Sequence, residues 1–109
     1  MENVAFEDFK KMELKVAQIK AVEDIEGADK IYKVTVDCGE ERVVVAGIKL
    51  WYTKEELVGK KVAMIANLEP RTIRGVTSHG MILAASNVDK TALTLLAVDK
   101  DVPAGSLIS

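Results

Sequence analysis

Arg71 and Arg74 lie three residues apart in the run NLEPRTIRGVTSHGMILAAS, residues 67–86, beside the chain's single histidine, His79. From an irregular loop, both guanidiniums can point the same way. A guanidinium fork then makes charge-assisted bonds to phosphate oxygens or stacks on an unpaired base. Only one other arginine, Arg42, occurs in a chain rich in lysine. Asn67 carries an amide that both donates and accepts at a base edge, and it equally suits a turn at a strand's end. Ser78 offers a hydroxyl to a phosphate or to a turn cap. For His79 a contact to RNA is a better reading than catalysis. Val76 stands where a nucleophile elbow needs its first glycine, and no carboxylate is spaced to orient the ring. Met81 opens an apolar strand, where packing is its ordinary role and sliding beneath a base the alternative. Pro70 and Gly75 shape the backbone between these groups. Lys30 and Lys33 form a second cationic cluster, for which a solvated strand face is the ordinary role and an extension of the track of Arg71 and Arg74 the alternative.

Composition limits what these residues can be part of. A chain of 109 residues with 49% hydrophobic content makes one domain, residues 1–109, around one core. One cysteine and one histidine supply neither a disulfide nor the ligand set of a zinc site, so no metal is expected. No paired acid and base, nucleophile constellation or phosphate-cradling glycine loop appears, so neither catalytic residues nor a cofactor is expected. Fifteen basic against seventeen acidic residues, a net charge of -2, means that any nucleic-acid binding must rest on a local patch. The N-terminus is acidic where a secretory signal would be basic, and the apolar runs are short. A soluble cytoplasmic protein with no membrane association is expected.

The elements that would hold these groups are short. FEDFKKM reads as a helical turn, and ELKVAQIKAVEDI as a long strand with a bulge. Tyr32, Val34 and Val36 alternate with Lys33, Thr35 and Asp37 as a half-buried strand. After the turn DCGEE, RVVVAGI reads as a strand buried on both sides. Thr53 and Glu56 have capping-box spacing, with Leu57 turned inward and Gly59 stopping a short helix. KVAMIAN and GMILAAS read as strands flanking the cationic loop, and ALTLLAV as the last strand. Trp51 and Tyr52 read as core, so recognition would lean on shape more than on stacking. Five or six strands with one helix between the third and fourth describe an all-β, five-stranded Greek-key barrel of the oligonucleotide-binding type with terminal extensions. A small two-sheet sandwich would give much the same pattern.

The run N-L-x-P-R-x-x-x-G-x-x-S-x-G-M from Asn67 to Met81, with GADKIYKVTVDCG and VVAGIKLWYTKEELVGK before it, resembles the tRNA-binding domain at the C-terminus of methionyl-tRNA synthetases. The same domain occurs in free-standing tRNA-binding proteins and in an endothelial-monocyte-activating cytokine. The resemblance runs from FEDFKKMELKV to VPAGSLI. It implies a non-catalytic barrel that binds tRNA by shape, with a methionyl-tRNA synthetase as partner, as an accessory or beta subunit. It also implies Asn67, Arg71, Arg74, Ser78, His79, Met81, Lys30 and Lys33 as the RNA-facing set. Many family members have lysine where Glu69 stands here, which takes one cation from the loop and would weaken binding. A sister branch of secretion-chaperone-like proteins shares DF and VPxG but tends to lose the GADK and S-x-G-M elements that this chain keeps. A homodimer is expected from the resemblance and from Val4, Phe6, Phe9, Leu107 and Ile108 at the two ends, which otherwise simply close the base of the barrel.

Overall fold

The structure, a computed structural model, describes residues 1–109. Its organising element is β1 (Leu14–Asp24), eleven residues long. It pairs antiparallel with β2 (Tyr32–Asp37) on one side and β4 (Lys61–Ile65) on the other. The register of β1 against β2 shifts between Ile19 and Ala21. A bulge of this kind bends a strand and increases its twist, and here it lets one strand serve both halves of a curved sheet. The hairpin expected at DCGEE joins β2 to β3 (Glu41–Ala46), with Tyr32 opposite Ala46 and Asp37 opposite Glu41.

The core lies inside this curve. Ile19, Val34, Val36, Val44, Leu57, Val62 and Met64 are all fully enclosed. β3 departs from the expectation of burial on both faces. Val44 and Ala46 are buried, whereas Val43 and Val45 are half-buried, because their face looks onto a groove described below.

Between β3 and β4 runs α2 (Lys54–Leu57), preceded by the capping box read from the sequence. Glu56 N donates to Thr53 Oγ1 at 3.3 Å and Thr53 N to Glu56 Oε1 at 2.6 Å. Leu57 anchors the helix in the core. Tyr52 packs beside it, its hydroxyl accepting from Leu95 N at 3.1 Å and lying 3.5 Å from Thr94 Oγ1.

Asp24 fastens this region to β1, with Lys54 Nζ at 2.7 Å and Lys49 Nζ at 2.9 Å. Hydrogen bonds from Lys54 and then Lys49 hold the Asp24 carboxyl below its ordinary value of 3.8. A depressed carboxyl contributes stability that is present above the unfolded value and is lost as pH falls through the folded one. Asp24→Asn is therefore expected to lower the melting temperature at neutral pH and to reduce the loss of stability on acidification below about pH 4. Melting curves of both chains between neutral and acid pH check this.

Beyond β4 the chain differs from the expected loop and two strands. Residues 71–78 form a hairpin of β5 (Arg71–Ile73) and β6 (Val76–Ser78). GMILAAS is not one strand. β7 (Met81–Ile82) pairs with β4, and β8 (Ala84–Ser86) pairs with β9 (Leu93–Leu95). The change of partner falls at Leu83, whose N donates to Ala63 O while its O accepts from Leu96 N. A terminal pair, β10 (Leu107–Ile108) on the start of β1, and the helical turn α1 (Phe6–Phe9) complete the chain.

The main sheet runs β3-β2-β1-β4-β7, and residues 78–80 bring its ends nearly together. Ser78 Oγ accepts from Val45 N at 2.9 Å, and His79 N donates to Val43 O at 2.9 Å. The last strand of the path thus meets β3 again, and the sheet becomes a nearly closed barrel.

Candidate nucleic-acid interface

A groove of about 980 Å³ crosses the outer face of β2 and β3. Its floor carries Lys33, Thr35 and Val43, and one side is the chain from Ala66 to Pro70. Opposite stand Gly75, Val76 and Thr77 of the hairpin, with His79 at its foot.

The hairpin turn is two residues long, Arg74 at φ +49° and Gly75 at φ +80°, closing the Ile73–Val76 pair. Positive φ at both central positions is the turn whose twist matches the right-handed twist of the strands. Glycine takes this readily. Arginine does so at a cost of about 1 kcal/mol or more, a strain that recurs at ligand clamps. Arg74 extends its guanidinium over the β1–β2 connection, with one Nη 3.3 Å from where a side chain on Gly27 would begin. Lys30 belongs to that same connection. Arg71 lies in β5 opposite Ser78 and is exposed. Neither arginine lines the groove; both stand on the hairpin that walls it.

No side-chain hydrogen bond or ion pair engages Lys30, Arg71 or Arg74. Lys33 differs in having Glu23 3.7 Å away across the sheet.

Asn67 and Ser78 are committed to the fold. Asn67 Oδ1 accepts from Glu13 N and its Nδ2 donates to Lys11 O, both at 2.7 Å, which ties the end of β4 to the entry of β1. Ser78 is buried, accepts from Val45 N and donates to Gly80 O. A phosphate at Ser78 would have to displace both bonds. Met81 is 43% exposed on β7, beside Ile65 of β4, so it is not a core methionine. Met81→Ala is expected to cost less than about 1 kcal/mol in stability, which a thermal melt of the variant checks.

Arg42 was missed by sequence reasoning. Along β3 it keeps step with Val44 and Ala46, the core-facing residues. A cation in that register at a strand's end must bend its charged tip out at the barrel mouth. There it donates to Ala66 O and to Glu40 Oε1, whose carboxyl it holds below the ordinary carboxylate value. The register of β3 was the signal that could have revealed it. Glu40, Glu41 and Glu69 also line the groove, which keeps its floor from being strongly basic. The unpaired cations are on its walls and approaches.

A small β-barrel with a walled groove and unpaired cations beside it belongs to the class of compact binding modules. A family model described as "Putative tRNA binding domain" matches residues 14–107, and the chain belongs to that family. Over 107 residues it is 49% identical to the methionine–tRNA ligase of Caldanaerobacter subterraneus subsp. tengcongensis, covering 97% of this chain and 16% of that protein. It therefore spans about a sixth of the length of that ligase. Among solved structures, a MetRS-related protein from Pyrococcus horikoshii superposes with a TM-score of 0.93 at 37% identity, over all of both chains. A CsaA chaperone protein from Picrophilus torridus gives 0.87 at 30% identity, covering 98% of this chain and 100% of that one. No helix is long and apolar enough to cross a membrane.

Proposed function

We propose that this chain binds tRNA by shape and backbone as a non-catalytic, cytoplasmic module assisting a methionyl-tRNA synthetase, in the manner of an accessory or beta subunit. The observation that carries this reading is the β5–β6 hairpin. It presents Arg71 and Arg74, free of internal partners, beside a groove that holds Lys33 and His79 and next to the connection that carries Lys30. In a chain of net charge -2, that concentration of unpaired cations gives a polyanion a defined place to dock. The family match and the likeness to methionine–tRNA ligases support the choice of tRNA and of the synthetase as partners.

A mobility-shift assay at low salt, with unfractionated tRNA, single-stranded RNA and duplex DNA side by side, tests it. Retardation of tRNA at the lowest protein concentration is the expected result. Binding of unfolded polypeptide with no shift of tRNA would instead support a chaperone-like or cytokine-like protein-interaction module, to whose chaperone-like form the likeness to a CsaA chaperone protein lends weak support.

The module acts as a homodimer in this reading. Phe6 is 69% and Leu107 75% exposed, and with Phe9, Met12 and Ile108 they border an apolar hollow where α1 meets β10. A second copy placed over these ends would cover them and widen the surface offered to a tRNA. Sedimentation equilibrium at micromolar concentration is expected to give twice the chain mass, and a monomer there would remove the dimer from the proposal.

A further inference from the structure

Arg42 has a geometry that the reading above leaves unused. One Nη donates to Ala66 O, while Nε and the other Nη both donate to Glu40 Oε1, at 3.2 and 2.6 Å. That paired edge is the one with which a guanidinium grips a phosphate oxygen. Glu40 fills it from two residues away, in the β2–β3 turn, and both residues line the groove with Lys33 and His79. The Arg42 side chain is 26% exposed and that of Glu40 62%.

We infer that the Nε–Nη edge of Arg42 is a phosphate site that the Glu40 carboxylate occupies in the free chain, so that RNA backbone binds there by displacing Glu40. The inference rests on the tRNA-binding reading of the groove. Ala66 O holds the guanidinium in place when Glu40 leaves, so the site is already oriented for its next acceptor. Glu40 is exposed enough to swing into solvent, and an exposed ion pair is weak enough for a polyanion with several other contacts to break. A small anion, with no other contacts to contribute, competes poorly. The pair therefore favours an extended phosphate backbone over isolated anions.

Glu41 supplies the control, because it lines the same groove one residue on and has no ion-pair partner. The dissociation constant for unfractionated tRNA should be measured at fixed low salt for the wild type, Glu40→Gln and Glu41→Gln. Removing any acid from the groove tightens binding somewhat. Glu40→Gln is expected to tighten it a further two- to fivefold beyond Glu41→Gln, about the range set by releasing an exposed ion pair. In an Arg42→Ala background, with folding confirmed by melting, that excess is expected to vanish. Equal gains from Glu40→Gln and Glu41→Gln in a chain that binds tRNA would overturn the inference alone and leave the tRNA reading standing. An excess that persists without Arg42 would do the same. Failure of every variant to bind tRNA would overturn the reading beneath it.

Discussion

Gly80→Ala is expected to lower stability by about 2–4 kcal/mol, a fall in melting temperature of about 10 °C or more for a domain of this size. Gly80 is the glycine of the S-x-G-M element, and its φ of +130° is one that residues with a side chain rarely adopt. A Cβ there would lie 2.6 Å from Met64 Cε and 2.8 Å from Ile65 O. The methionine end can rotate away, although Met64 is fully enclosed and must then disturb its neighbours. The carbonyl belongs to β4 and moves only with the strand. The same short segment closes the barrel through Ser78 and His79, so displacement at Gly80 is transmitted to the seam. Gly75→Ala is the comparison. Its φ is also positive, at +80°, but nothing lies within 4 Å of the added carbon. Strain of the backbone alone costs about 1–2 kcal/mol. Thermal melts of the two variants should differ by the steric part, and equal melts would mean that Gly80 is not wedged against β4.

That result bears on how much of the molecule could be read in advance. Local chemistry was legible where one residue dictates its neighbourhood. The Thr53–Glu56 box, the inward Leu57, the alternation from Tyr32 to Val36 and the bulge in the first strand are all present. Features that depend on distant partners were not legible. Asn67 looked free to meet a base because nothing near it in sequence shows that Lys11 and Glu13 hold its amide from 56 and 54 residues away. Ser78 belongs to the same group, since its acceptor role is set by Val45, 33 residues distant.

The hairpin was missed for another reason. Thr72–Ile73 and Val76–Thr77 flank a turn whose first residue is arginine, whereas turns of this kind are recognised by asparagine or aspartate before glycine. GMILAAS reads as one apolar strand because periodicity cannot show that Leu83 changes partners from β4 to β9. The closing VPAG element makes sense only in three dimensions, where Gly105 N donates to Val16 O and Ser106 O accepts from Val16 N.

The larger functional effect is expected from Arg71→Ala combined with Arg74→Ala. Each guanidinium is exposed and unpartnered, so its removal leaves no buried group unsatisfied, and the melting temperature is expected to stay within a degree or two, as for other surface changes. A hydrogen bond to a charged group contributes about 1.5–3 kcal/mol. At about 1.4 kcal/mol per tenfold, each lost arginine–phosphate contact weakens binding roughly tenfold or more, and the pair about a hundredfold at low salt. The salt dependence carries the mechanism. A phosphate contact releases condensed counterions, with a slope of log affinity against log salt of about 0.7–0.9 per phosphate. The double variant should therefore bind with a slope lower in magnitude by about 1.5. Because phosphates carry no sequence information, different tRNAs should lose affinity in parallel. Met81→Ala should show the opposite signature, a loss of affinity with the slope intact, because an apolar contact releases no counterion. Unchanged affinity and slope in the double arginine variant would mean that tRNA docks away from the hairpin. The strain at Arg74 would then need another cause, and the search for the RNA face would move to the Lys33 and Arg42 side of the groove.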